Sequence, residues 1–371
     1  MRRSSLKVKE VFVNLYSFTK QLLGGLILVI TAFVLLLLSW HSQGFSSWYA
    51  VNIYPVFPAT VGRLTGLFPF SVFEFLVLVI ILLVIFWIVK TCILGRKQIF
   101  HFIRNILYLA GSIFLMYVLT AGINYNRESY ADHVGITVNP SSVYELEELF
   151  FLLLNRANEI IPHITTDSTD HFVLSSDDTH YNAISAMKGL NDRHGGLNTH
   201  LSRAKPPFIS IIMTHVRVGG FFSPWTLEAN YNNMNLAQSM PYTITHELAH
   251  LAGYMREDEA NFIAYLACRD SENADFQYSA VYTALNYTLI ALIRAVGRKQ
   301  VSELYQMLPE QIIRDRENEY NFWNKYDGKV AEVSSKVNDT YLKANRQEDG
   351  VRSYGRMVDL LLAYYKEKGL I

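Results

Sequence analysis

The residues from Gln21 to Trp40 read QLLGGLILVITAFVLLLLSW, without a charged side chain. At helical rise this run is long enough to cross a hydrocarbon core of roughly 30 Å. A second run extends from about Val72 to Val89, uninterrupted after Glu74, and a third from about Asn105 to Gly122. Backbone polar groups in lipid must be satisfied within the segment, so each run is expected to be a transmembrane helix. The apolar excess stops near Asn124, which divides the chain into a basic N-terminus (1–20), a membrane domain (21–123) and a mixed, polar remainder (124–371).

Lys and Arg placement orients these spans. Arg2, Arg3, Lys7, Lys9 and Lys20 precede the first span, and Lys90, Arg96, Lys97 and Arg104 lie between the second and third. The stretch from His41 to Ser71 has only Arg63. The positive-inside rule then predicts a multi-pass protein of the cell membrane, with its N-terminus cytoplasmic and its large C-terminal domain outside. A cleavable signal peptide fits poorly, because the first run is too long and no small-residue cleavage pattern follows it. Cys92 and Cys268 fall on opposite sides of the membrane, which excludes a disulfide framework. The formal net charge is zero, so the broad basic footprint of a nucleic-acid binder is missing. Glu74 is expected at headgroup level, with access to water.

The outer domain opens with Pro140-Ser141-Ser142 and Glu145, the spacing of a capping box. Leu146, Leu149, Phe150, Leu153 and Leu154 then share one helical face, so a helix is predicted from about Val143 to Ile160. Residues 163–205 read as loop with at most a short helix around Tyr181 to Leu190. Phe208 to Met213 reads as a strand, and Val218 to Phe222 as a turn into a second extended segment. From Tyr242 onward the pattern is helical. The expected fold is an α-helical anchor followed by a mainly α, α+β domain with a small sheet.

The chemistry is concentrated in His246-Glu247-Leu248-Ala249-His250. Four residues apart on a helix, two histidines face the same way and reach one tetrahedral ion, while the glutamate between them can act as a base on a water held there. Uncharged Thr245, Leu248, Ala249 and Leu251 allow this helix to be buried, and Pro241 and Thr243 supply start signals. A catalytic zinc wants a third protein ligand and an open position. Gly253 can end the helix, after which Glu257 and Glu259 compete for that role. Glu257 shares its face with Ala260, Asn261, Ala264 and Cys268, which favours it, with Glu259 as the alternative. Asn261 is then placed to orient a ligand histidine.

Glu257 followed four residues later by Asn261 resembles the gluzincin peptidases, in which a glutamate ligand is followed by Asp or Asn at that spacing. A metzincin likeness fails, since Arg256 stands where that group has its third ligand. Along most of its length the chain also resembles an uncharacterised bacterial membrane family, domain of unknown function 3810. The resemblance is carried by Gly122-Ile123-Asn124-Tyr125, Glu228-Ala229-Asn230, THELAH with REDEANF, VNDTYLKAN and GVRSYGR. It implies a three-span anchor with an outward zincin-like domain.

These features lead to the expectation of a membrane-anchored zinc metallopeptidase acting on a peptide or protein substrate, with one Zn2+ on His246, His250 and Glu257 and with Glu247 as base. An oxyanion donor is sought among Tyr341, Lys343, Arg352, Tyr354 and Arg356, with Tyr354 chosen. Glu228 to Asn230 is a candidate edge for pairing with a substrate backbone. His194, His200 and His215 have no partner at ligand spacing and read as solvated or structural. The alternative is a zinc-binding membrane sensor or scaffold without hydrolytic activity; an intact Glu247 counts against it.

Overall fold

A computed structural model describes residues 2–95, 98–176 and 178–371, with side chains for all of these except residues 2–21 and Tyr354. The basic side chains ahead of the first span, together with Arg96 and Lys97, thus lie outside the described residues.

The fold is mostly helical, with two small two-stranded sheets. Four described helices are long and apolar enough to cross a membrane: Leu22–His41, Val72–Leu94, Ile99–Asn126 and Ala274–Val296. The first three coincide with the expected spans. No residue of Val72–Leu94 is buried along its most apolar stretch, whereas half of that stretch is buried in Ala274–Val296. Ala274–Val296 packs against Val143–Ile160 and against the two helices that carry the histidines and Glu257. Packing within the domain therefore already accounts for its apolar residues.

Three helix ends meet at the base of the C-terminal domain. Asn126 Nδ2 donates to Ser39 Oγ (3.2 Å), Tyr49 Oη to the Leu119 carbonyl (2.9 Å), and the backbone N–H groups of Val72 and Phe73 to the Glu228 carboxylate (3.0 and 2.9 Å). The C-terminal ends of Leu22–His41 and Ile99–Asn126 and the N-terminal end of Val72–Leu94 thus lie on one side. The excursion between spans one and two is helical in part, including Gln43–Asn52, and supports the domain from below. Thr65 Oγ1 donates to the Thr226 carbonyl (2.9 Å), and Lys205 Nζ pairs with Glu228 at 2.5 Å with both side chains fully buried.

Val143–Ile160 forms as its sequence predicts. Glu145 N–H donates to Ser142 Oγ (3.3 Å) and Ser142 N–H to Glu145 Oε2 (2.6 Å), closing the capping box. The helix buries Leu149, Phe150, Leu153 and Leu154, each worth roughly 1.5–3 kcal/mol when fully buried. The polar stretch after it holds a short hairpin, β1 (Thr165–Thr166) with β2 (Phe172–Val173), and a helix, Thr179–His194, longer at both ends than expected.

Phe208 to Met213 is not a strand. Ser210–His215 is a helical turn, because the Glu74 carboxylate accepts the N–H groups of Phe208 (2.8 Å) and Ile209 (2.9 Å) and caps it from the start of span two. Glu74 is therefore a bonded cap, with both hydrogen bonds at the exposed surface. The second extended segment does form: β3 (Gly220–Ser223) runs antiparallel to β4 (Glu228–Tyr231), with Gly220 opposite Tyr231 and Ser223 opposite Glu228. On its other side β4 bonds Lys205, through Lys205 N–H to Ala229 O and Tyr231 N–H to Lys205 O (both 3.0 Å). Both edges of Glu228–Tyr231 are thus occupied, and the open edge belongs to β3.

Candidate metal centre

The HELAH motif occupies the helix Met240–Leu251, with Pro241 in its first turn where no intrahelical donor is needed. Gly253 ends it at φ +102°, a conformation that favours glycine. The helix end is then held by groups from the membrane side: Tyr54 Oη donates to the Leu251 carbonyl (3.0 Å) and Arg127 Nη1 to that of Gly253 (3.3 Å). Glu257–Arg269 follows and packs against the motif helix.

This packing brings His246, His250 and Glu257 together, all buried, with one potential ligand atom from each lying within 4.8 Å of the others. Glu257 Oε2 is 3.1 Å from His246 Nε2 and 3.6 Å from His250 Nε2. Metal–ligand bonds of 2.0–2.1 Å in a tetrahedron give ligand separations of about 3.3 Å, which these two distances bracket. His250 Nδ1 lies 2.7 Å from the Tyr254 carbonyl, to which it must donate. Its Nε2 then turns a lone pair toward a carboxylate oxygen unless a proton or a cation sits between them.

Charges follow from the same contacts. Burial opposes the charged form of His250, but the adjacent Glu257 outweighs it and pushes the imidazole up to about 9. For His246 burial wins, and its pKa is lowered. Glu257 is buried too, yet His250 and then His246 hold its carboxyl far below the usual range. Burial, with Glu257 adding to it, raises Glu247 to about 8. Its Oε2 is buried with no hydrogen-bond partner among the described residues. A cation beside it would relieve that cost, so the donor set and the orphaned oxygen both fit a zinc ion.

Glu259 faces elsewhere. It accepts from Arg256 Nε (3.0 Å) and Nη2 (2.5 Å) and from the Tyr130 N–H (2.9 Å), which leaves it no part in the cluster. Asn261 lies within hydrogen-bonding reach of His246 and of Tyr287. The side chain of Tyr354 lies outside the described residues. Among the other tail candidates, Tyr341 lines the cleft, its hydroxyl 3.0 Å from that of Tyr125. His215 bonds its own helix at the Ile211 carbonyl (2.8 Å), and neither it, His194 nor His200 joins the cluster.

The cleft encloses about 1220 Å³ and runs from the histidines to Tyr117 and Ala121 of the third span. Two of its features escaped the sequence. Tyr287 comes from a helix thirty residues away from Glu257 in sequence and carries no local signal. Gly220 looked like a turn glycine, but a Cβ there would lie 2.6 Å from Glu247 Oε1 and 2.9 Å from the Asn230 carbonyl. The Glu247 side chain occupies that space.

A family model described as "Protein of unknown function (DUF3810)" matches residues 49–362. The chain belongs to this family. No curated protein and no solved structure matches it. The match runs from the helix Gln43–Asn52 into the last helix, so it takes in Val72–Leu94, Ile99–Asn126 and the cluster of His246, His250 and Glu257 together.

Proposed function

We propose that the protein is a membrane-anchored zinc metallopeptidase with a zincin-like outer domain, hydrolysing peptide bonds outside the cytoplasm. The observation that carries this reading is the convergence of two imidazole nitrogens and one carboxylate oxygen beside an otherwise unused buried glutamate, at the wall of an open cleft. His246, His250 and Glu257 hold one zinc, which supplies Lewis-acid polarisation of water and of the scissile carbonyl when bound. Glu247 takes the proton of the attacking water and delivers it to the leaving amine. Its raised basicity suits that task near neutral pH. Tyr341, a tail residue that lines the cleft, is our candidate to donate to the developing oxyanion. Alternation along the β3–β4 ladder turns the N–H and C=O groups of Gly220 and Phe222 away from β4, where they can pair with a substrate backbone. Lipid is the anchor's environment, and the charge bias of the loops supports a cleft on the outer side.

The test is zinc content of the full chain purified in detergent. The native protein and Glu247→Gln are expected to hold about one zinc, with hydrolysis of a degenerate peptide mixture lost in the variant, and Glu257→Ala is expected to lose the metal. Absence of zinc from the native protein removes the reading. Retention in Glu257→Ala but loss in Glu259→Ala removes the ligand assignment.

A further inference from the structure

We propose that the substrate of this site is the membrane-proximal segment of another membrane-anchored protein, cut where it leaves the bilayer; the inference rests on the peptidase reading above. The cleft is built onto the spans. Trp225, at the tip of the β3–β4 hairpin, donates its indole N–H to the Ile113 carbonyl (3.0 Å), four residues deeper in the third span than Tyr117. Its ring lies nearly parallel to that of Phe73 at the start of span two, centroids 5.9 Å apart. The tip is therefore wedged between the outer ends of two spans, at the depth where an amphipathic tryptophan ring is at home. From Trp225 back to Gly220, which touches Glu247, is five residues, at most about 17 Å of strand.

Two exposed apolar surfaces lie near these helices, one beside Glu74 and one on the helix whose Tyr341 contacts Tyr117. Glu74 fixes the turn Ser210–His215 beside the start of span two, and there Phe208, Ile211 and Ile212 are 75, 60 and 57 % exposed while Met213 and Thr214 are buried. Such a cluster, continuous with a lipid-facing helix, belongs in the bilayer interface. The helix Lys329–Ala344 carries a second stripe, Val330, Val333 and Val337, all exposed, with Val337 and Tyr341 forming the cleft wall. A chain emerging from the bilayer reaches the base in about five extended residues and meets an apolar wall on the way.

The experiment uses the full chain in zinc-loaded proteoliposomes with three probes. A single-span model protein carries a degenerate segment directly after its span; a second carries the same segment behind a long flexible spacer; the third is the segment as a free peptide. Products are read by mass spectrometry. Expected is cleavage of the first probe at least about tenfold faster than of the others, as tethering at the mouth of the cleft raises the effective concentration. Equal or faster cutting of the free or spaced segment overturns the inference and leaves the peptidase reading standing. If none is cut, the peptidase reading fails and takes the inference with it. Independently of activity, a nitroxide on Ile211→Cys in a Cys92→Ser background is expected to be accessible to lipid-dissolved oxygen and shielded from an aqueous nickel chelate. The reverse pattern places the cleft away from the bilayer and overturns the inference.

Discussion

Gly220→Ala separates the base from the metal. The added Cβ falls 2.6 Å from Glu247 Oε1 and 2.9 Å from both Glu247 Cγ and the backbone carbonyl of Asn230. The carbonyl belongs to the β3–β4 pair and has little room to retreat, so the glutamate must yield. Ordinary contact begins near 3.4 Å, which requires a shift of about 0.8 Å; misplacing a reacting group by that order costs up to about a hundredfold in rate. Overpacking of this kind destabilises by about 1–3 kcal/mol. Neither histidine nor Glu257 is among the crowded atoms, so zinc stoichiometry is expected to stay at that of the native chain. Thermal unfolding, zinc content and turnover on the degenerate peptide mixture measure the three quantities separately. Full turnover in the variant, or parallel loss of zinc and turnover, would refute the assignment of Glu247 as a base positioned by Gly220.

Zinc affinity is expected to rise with pH. With His250 at about 9, the metal-free site carries a proton at neutral pH that the ion must displace, while His246 is already neutral. Competition titrations should give a gain of about tenfold per pH unit up to pH 9 and a plateau above; a flat profile contradicts the charge pattern. Lys205→Met leaves Glu228 buried without its cation and is expected to cost about 3–5 kcal/mol in thermal unfolding of the full chain; an unchanged transition contradicts the role given to that pair. Tyr341→Phe should keep its zinc and lose about a hundredfold in turnover, as the loss of one oxyanion donor does. Unchanged turnover would return the role to another tail residue.

Legibility followed the range of the interactions. The helix Val143–Ile160 and the pairing of His246 with His250 rest on contacts within four residues, and periodicity alone located both. The choice between Glu257 and Glu259 was closer, because helical facing favours one but the decisive contacts come from afar. Tyr130, more than a hundred residues earlier, donates its N–H to Glu259 and with Arg256 satisfies that carboxylate. The segment Phe208 to Met213 has the composition of a strand and is a helical turn because a carboxylate 134 residues away caps it. Gly220 hid its purpose for the same reason, since the side chain it makes room for belongs to another element.

The Lys205–Glu228 pair, closed off by Thr65 and by the first amides of span two, bears on how this molecule can be divided. Hydrogen bonds cross the change in composition near Asn124. A fragment beginning there would leave a lysine and a glutamate facing the gap where Thr65 and Val72 had been, and would strip Tyr54 from the end of the motif helix. Residues 124–371 are therefore expected to need the segment from Tyr54 to Phe73 to fold around the motif helix as they do here.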